Sequence, residues 1–126
     1  MRRFRVSEDM EQLRSFYASW GHPECTPEAG DLPLTGYIVD GKAAMFMYLT
    51  DSNICTFEHA ITMRGAPGHT EAIHALVDQL MVEAKKHACT KVYIYVGSEH
   101  AKKRAIATGF TLDAEPQRWQ LSREVK

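Results

Sequence analysis

Residues 54–96 constrain the fold of this chain more than any other stretch. A β-branched and aromatic run, Ile54–Met63, leads into an Arg-Gly-x-x-Gly loop at 64–68. An amphipathic segment continues to His87, and a second apolar run, Lys91–Val96, follows. Ile73, Leu76, Val77, Leu80 and Ala84 recur at steps of three and four, the period of a helix with one buried face. Two strands joined through a helix run parallel, with a right-handed crossover. Thr70 is the expected N-cap with Glu71 in the first turn, and Lys85, Lys86 and His87 complement the other end of the dipole. Strand, glycine loop and helix N-terminus form the arrangement that turns free backbone N–H groups toward a phosphate. A plainer alternative stands beside it, in which Gly65-Ala66-Pro67-Gly68 is only a tight turn into a capped helix. Pro67 brings no N–H, and the Glu71 carboxylate competes for the positive helix end; Arg64 and His69 are placed to offset the missing donor.

The rest of the chain supplies short elements around this unit. Phe4-Arg5-Val6 alternates as a first strand, and Ser7 reads as an N-cap ahead of Glu8 and Asp9. Met10, Leu13, Phe16, Tyr17 and Trp20 give the following helix an apolar face, which Gly21 and Pro23 end. Residues 22–33, rich in Pro, Gly and acids, read as irregular, with room for one short helical turn. Tyr37–Val39 and Ala43–Leu49 flank Asp40-Gly41 as a hairpin, and Asp51-Ser52-Asn53 turns into Ile54–Met63. Ser98 caps a helix to Thr108 with Gly109 as its stop, and Phe110–Leu112 and Trp119–Leu121 close a hairpin around Asp113–Gln117. The order predicts an α+β domain, 1–126, with a mostly antiparallel sheet and one parallel crossover.

Composition narrows the function classes. A net charge of −1 argues against general nucleic-acid binding, Lys102-Lys103-Arg104 being the one basic run. No apolar run reaches the roughly 18 residues of a membrane span. The basic N-terminus lacks the apolar segment of a secretory signal. Cys25, Cys55 and Cys89 are odd in number and scattered, which suits reduced thiols and a cytoplasmic location. His22-x-x-Cys25 and His87-x-Cys89 lack the paired spacing of a structural zinc site, so no metal is expected.

On the order of its elements and on two motifs, the chain resembles the GNAT superfamily of acyl-CoA-dependent N-acyltransferases. MRGAPGHTEAIHALVDQLMVEA is similar to the family's Arg/Gln-x-x-Gly-x-Gly/Ala loop and its helix, although here Gly65 and Gly68 stand one and four residues after Arg64 and position 67 is proline. VGSEHAKKRAIATGF looks like the family's strand and helix ending in Gly-Phe, with Ser98 at the usual Asn and Ala105 at the usual Tyr. The resemblance implies a mixed sheet of about six to seven strands with helices on both faces. It also implies acetyl-CoA as cofactor, with the pantetheine arm beside Ile61, Thr62 and Met63 and the pyrophosphate on Arg64, Gly65, Gly68, His69 and Thr70. The chain's brevity is similar to that of phage members of the fold.

A base for the amine nucleophile is implied on the strand 54–63, where Glu58 and His59 are the candidates. Strand alternation puts Cys55, Phe57, His59, Ile61 and Met63 on one face and Thr56, Glu58, Ala60 and Thr62 on the other, so the two do not share a cleft. The plain readings are a solvated Glu58 and a hydrogen-bonded, part-buried His59. Ser98 is a weak donor or simply a cap; Tyr95, with Tyr93, is a substitute acid or sheet packing. Lys102-Lys103-Arg104 is a solvated face, or meets the coenzyme's 3′-phosphate or acidic groups on a partner. The acids Glu24, Glu28 and Asp31 favour a cationic amine, small molecule or protein, as acceptor, with residues 22–34 and 113–117 lining its side. Two functions stay open: an N-acetyltransferase acting by direct attack, or a catalytically inactive binding or structural protein on the same fold. The Trp119–Leu121 edge leaves a homodimer open.

Overall fold

Sheet faces and helix faces are set by the same apolar periodicities in a computed structural model that describes residues 1–114 and 119–125. The helices are α1 (Val6–Ser19), α2 (His69–Lys86) and α3 (Glu99–Ala107). The strands are β1 (Arg2–Arg3), β2 (Thr35–Val39), β3 (Ala43–Leu49), β4 (Ile54–Thr62), β5 (Lys91–Val96), β6 (Thr111–Ala114) and β7 (Trp119–Glu124). They form one seven-stranded sheet in the order β1-β2-β3-β4-β5-β7-β6. Every neighbouring pair is antiparallel except β4–β5, the pair joined through α2. Two single 3-10 turns, Pro23–Cys25 and Ala29–Asp31, lie between α1 and β2. Most of the turn 113–117 lies outside the described residues.

Two apolar layers cover the sheet. Alternation along β3 sends Met45 and Met47 to the α2 face, where they join Cys55, Phe57, Leu76, Leu80, Val92, Phe110 and Leu121. It sends Ala44 and Phe46 to the other face, against Leu13 and Phe16 of α1, Phe4 and Ile38. Leu13, Phe16, Leu76 and Leu80 have no exposed surface, and each such side chain contributes about 1.5–3 kcal/mol by leaving water.

Several boundaries differ from the sequence reading, each for a local reason. The first strand is Arg2–Arg3, paired with Tyr37–Ile38, and Phe4 turns inward to the α1 layer. Ser7 is inside α1; the Arg5 N–H at its start is held by Asp9 Oδ2 at 2.7 Å, and Arg2 grips the same carboxylate. Thr70 is not the cap of α2, which begins one residue earlier behind Gly68 in a left-handed conformation (φ 74°). Trp119–Leu121 is not an edge, because β7 pairs with β5 on one side and β6 on the other; the edges are β1 and β6.

Within β4 the alternation breaks. Ala44 pairs with Ile61 and Phe46 with Glu58, so Met45 alone faces both His59 and Ala60. His59 takes the positive φ of 56° that this bulge requires. A bulge adds one residue to one strand and re-aims the side chains beyond it. Cys55 and Phe57 therefore face α2, whereas Ile61 and Met63 pack in the α1 layer.

Candidate functional site

The parallel pair β4–β5 is short. Its partners are Ile54 with Lys91, Cys55 with Val92 and Thr56 with Tyr93, and there it ends. Beyond Thr56 the two strands part, while β4 stays bonded to β3 as far as Thr62 and β5 to β7 as far as Val96. The ladder is thus open between Phe57–Thr62 and Ile94–Val96. On the α2–α3 side of the gap is an apolar cavity of about 90 Å³, walled by Ala60, Ile73, Val77, Ile94, Val96 and Ala105, with Arg104 at its wall. A larger cavity of about 380 Å³ lies elsewhere, between Met81 of α2 and the β6–β7 pair, and holds none of the candidate groups.

The loop at the end of β4 is built for open backbone donors. Gly65 (φ 78°) and Gly68 (φ 74°) supply the left-handed turns that other side chains resist. The Ala66 N–H is spent on the Met63 carbonyl and the Arg64 N–H on Ser19 Oγ. Among the described residues the N–H groups of Gly65, Gly68, His69, Thr70 and Glu71 have no acceptor and no side-chain hydrogen bond caps the helix, while Glu71 Oε2 stands 3.8 Å from where a Gly68 Cβ would lie, at the helix end for which it was expected to compete. A Cβ on Gly68 would stand 3.1 Å from Lys42 Nζ, so the ammonium group from the β2–β3 turn sits over the helix start. Arg64 is directed elsewhere: its guanidinium lies 5.3 Å from the centre of the Trp20 ring, whose indole N–H donates to the Thr62 carbonyl at 2.8 Å. His69 donates from Nδ1 to the Ala66 carbonyl at 2.9 Å and stiffens the loop. This donor set fits a pyrophosphate.

On the opposite face, the β4 bulge gathers a polar cluster. Register puts Glu58 opposite Phe46 and Thr56 opposite Tyr48, on the α1 side. His59 is turned to that side too, edge-on to Phe46 and Tyr48 with centroids 6.1 and 5.6 Å away. Glu58 and His59 thus share one face, contrary to the alternation argument, because the extra bulge residue cancels one step. Tyr48 Oη stands 2.8 Å from His59 Nε2 and donates at 2.8 Å to the Asp31 carbonyl. Glu58 accepts from Thr56 Oγ1 at 3.0 Å. Burial lowers the His59 pKa, with the Glu58 and Asp31 charges opposing it in part, so the ring is neutral at neutral pH. Burial raises the Tyr48 pKa, and Glu58 and Asp31 add to the rise. Burial, with Cys25 and Tyr48 nearby, pushes Tyr17 up to about 12. Both phenols stay protonated. A neutral imidazole beside two carboxylates can take a proton from an ammonium group that those carboxylates attract.

The other sequence candidates are placed as follows. Tyr95 is exposed on β5, past the last β4–β5 pair; Thr56 pairs with Tyr93, so alternation puts Tyr95 on the Glu58 face. Ser98 is the cap of α3, accepting from the Ala101 N–H at 3.1 Å. Ala105 is a cavity wall without a donor. Lys102 pairs with Glu99 and Arg104 with His100 Nε2. His22, just before the first 3-10 turn, and Glu24 and Cys25 on it bring their donor atoms within 4.8 Å of one another, all three exposed. Sequence reasoning missed Lys42 and Tyr48. Lys42 sits in a legible turn but far in sequence from the loop it covers, and Tyr48 reads as an ordinary strand residue until the bulge turns His59 toward it.

The sequence matches no family model, and no curated protein is similar enough to serve as a relative. Solved structures do match. An aminoglycoside 6′-acetyltransferase type Ii aligns over 98% of this chain and 96% of its own, with TM-score 0.75 and 12% identity. The PaiA N-acetyltransferase of Thermoplasma acidophilum, solved with coenzyme A, aligns over 98% and 96% with TM-score 0.73 and 12% identity. Rv2747 of Mycobacterium tuberculosis, also with CoA, aligns over 90% and 72% with TM-score 0.72 and 14% identity. With these neighbours and a mixed sheet that parts beside a bulged β4, the chain has the GNAT N-acyltransferase fold.

Proposed function

We propose that this chain transfers an acetyl group from acetyl-CoA to an amine by direct attack of the amine. The observation that carries the reading is the parting of β4 and β5 after Thr56–Tyr93, with the unbonded N–H groups of the 64–71 segment at its mouth. Acetyl-CoA brings the thioester-activated acetyl group. The N–H groups of Gly65, Gly68, His69, Thr70 and Glu71, with Lys42, hold its pyrophosphate, and Ala60, Ile73, Val77 and Ile94 line the arm. Backbone donors of this kind cost no reorganisation when the anion arrives. Glu58 and Asp31 draw a cationic amine to the α1 face, and His59 takes its proton. Tyr95 is the candidate donor to the departing thiolate.

Thiol release from acetyl-CoA across a panel of amines tests this. Amine-dependent release is expected, and it should fall at least roughly 10²-fold in His59→Gln, the low end of what a positioned base supplies. A second reading, a binding protein without turnover, is favoured by Ala105 and by the capping role of Ser98, neither of which supplies a proton to the thiolate. Acetyl-CoA binding with no release for any amine would establish that reading instead.

A further inference from the structure

We infer that Tyr48 is a positioning residue that fixes which ring nitrogen of His59 accepts a proton. The inference rests on the acyl-transfer reading above and goes into the same cluster. Tyr48 Oη has two neighbours at 2.8 Å, the Asp31 carbonyl and His59 Nε2. A phenol has one proton, and a carbonyl oxygen can only accept. The phenolic proton therefore goes to Asp31, and the phenolic oxygen accepts from Nε2–H of His59. Neutral imidazole carries one N–H, so Nδ1 is left with the lone pair, and among the described residues nothing bonds to it. The Asp31 carbonyl belongs to the 3-10 turn Ala29–Asp31 between α1 and β2. Through Tyr48, that turn sets the tautomer of a residue on β4. The arrangement also serves the protonated state, since imidazolium keeps its Nε2 donor bond while Nδ1 holds the abstracted proton.

Two readouts test this on the full chain. In ¹⁵N-histidine-labelled protein above the His59 pKa, long-range ¹H–¹⁵N correlation, assigned by comparison with His59→Gln, is expected to show protonated Nε2 and bare Nδ1. In Tyr48→Phe the same signals are expected to move toward averaged values of exchanging tautomers. With acetyl-CoA and an accepted amine, Tyr48→Phe is expected to lose kcat roughly 10-fold, short of the roughly 10²–10⁴-fold a base itself supplies, at unchanged KM for acetyl-CoA. A proton on Nδ1 in the wild type overturns the inference and leaves acyl transfer standing. So does a Tyr48→Phe variant with unaltered His59 signals and unaltered kcat. No turnover by the wild type, with Nε2 protonated, overturns the catalytic reading and with it the purpose assigned to Tyr48.

Discussion

His59 is half-buried against Phe46 and Tyr48, and its lowered pKa follows from that burial, which the Glu58 and Asp31 charges offset only in part. A base must be neutral to act, so activity should rise with pH as His59 loses its proton. Because the folded pKa lies below the ordinary value of about 6.5, the acid limb of kcat/KM is expected below pH 6.5. A limb above that value would remove His59 as the base. Lys42 belongs to the other half of the site: Lys42→Ala should weaken acetyl-CoA binding, with KM raised and kcat held, whereas loss of kcat alone would contradict a phosphate-holding role. Glu58 and His59 were legible as base candidates only through the family resemblance, which implies a base on this strand. Their shared face was not, since period-two alternation holds only while each residue has one partner. A single bulge at 59–60 reverses the assignment for everything after it.

Helix ends show a similar limit at the scale of an element. The apolar face of α2 was readable from its spacing, yet its stops depend on backbone geometry. At its C-terminus Cys89 N–H bonds the Ala84 carbonyl and Ala88 N–H that of Lys85, a Schellman closure with Ala88 in the left-handed region (φ 58°). The sequence offers no Gly there to announce it. Ala88→Gly should relieve the strain and stabilise the fold by about 0.5–1 kcal/mol, read by chemical denaturation; destabilisation would contradict this. Further back on the same helix, buried Glu83 accepts from Tyr37 Oη at 2.6 Å and from Arg3 at 3.2 Å, tying α2 to β2 and β1. Glu83→Ala should cost about 1–3 kcal/mol, since it strips a buried phenol of its acceptor. The Tyr37 hydrogen bond holds Glu83 below the ordinary carboxylate range, and the Arg2 hydrogen bonds do the same for Asp9. Groups so depressed contribute stability above their unfolded pKa, about 4, and lose it as pH falls through their folded values. The Tm should therefore decline below about pH 4, and in Glu83→Ala that decline should be shallower.

Across the whole molecule the strand order grew from local signals: a hairpin at Asp40-Gly41, a helical crossover from 54 to 96, and a closing pair of strands. The place where β4 leaves β5 has no local signal, because it depends on β4 following β3 and β5 following β7 in diverging directions. Among the described residues no helix is long and apolar enough to cross a membrane. The seam that opens there is central, because an apolar cavity lies on one face of it and the His59 cluster on the other. Thermal denaturation with millimolar acetyl-CoA measures it most directly. At about 100 times its Kd, the coenzyme should stabilise the chain by roughly 2.7 kcal/mol, a rise in Tm of about 4–8 °C. The rise should vanish in Gly68→Asp, which puts a carboxylate where the pyrophosphate would lie. A wild-type Tm unmoved by acetyl-CoA, or an equal rise in Gly68→Asp, would contradict the coenzyme site.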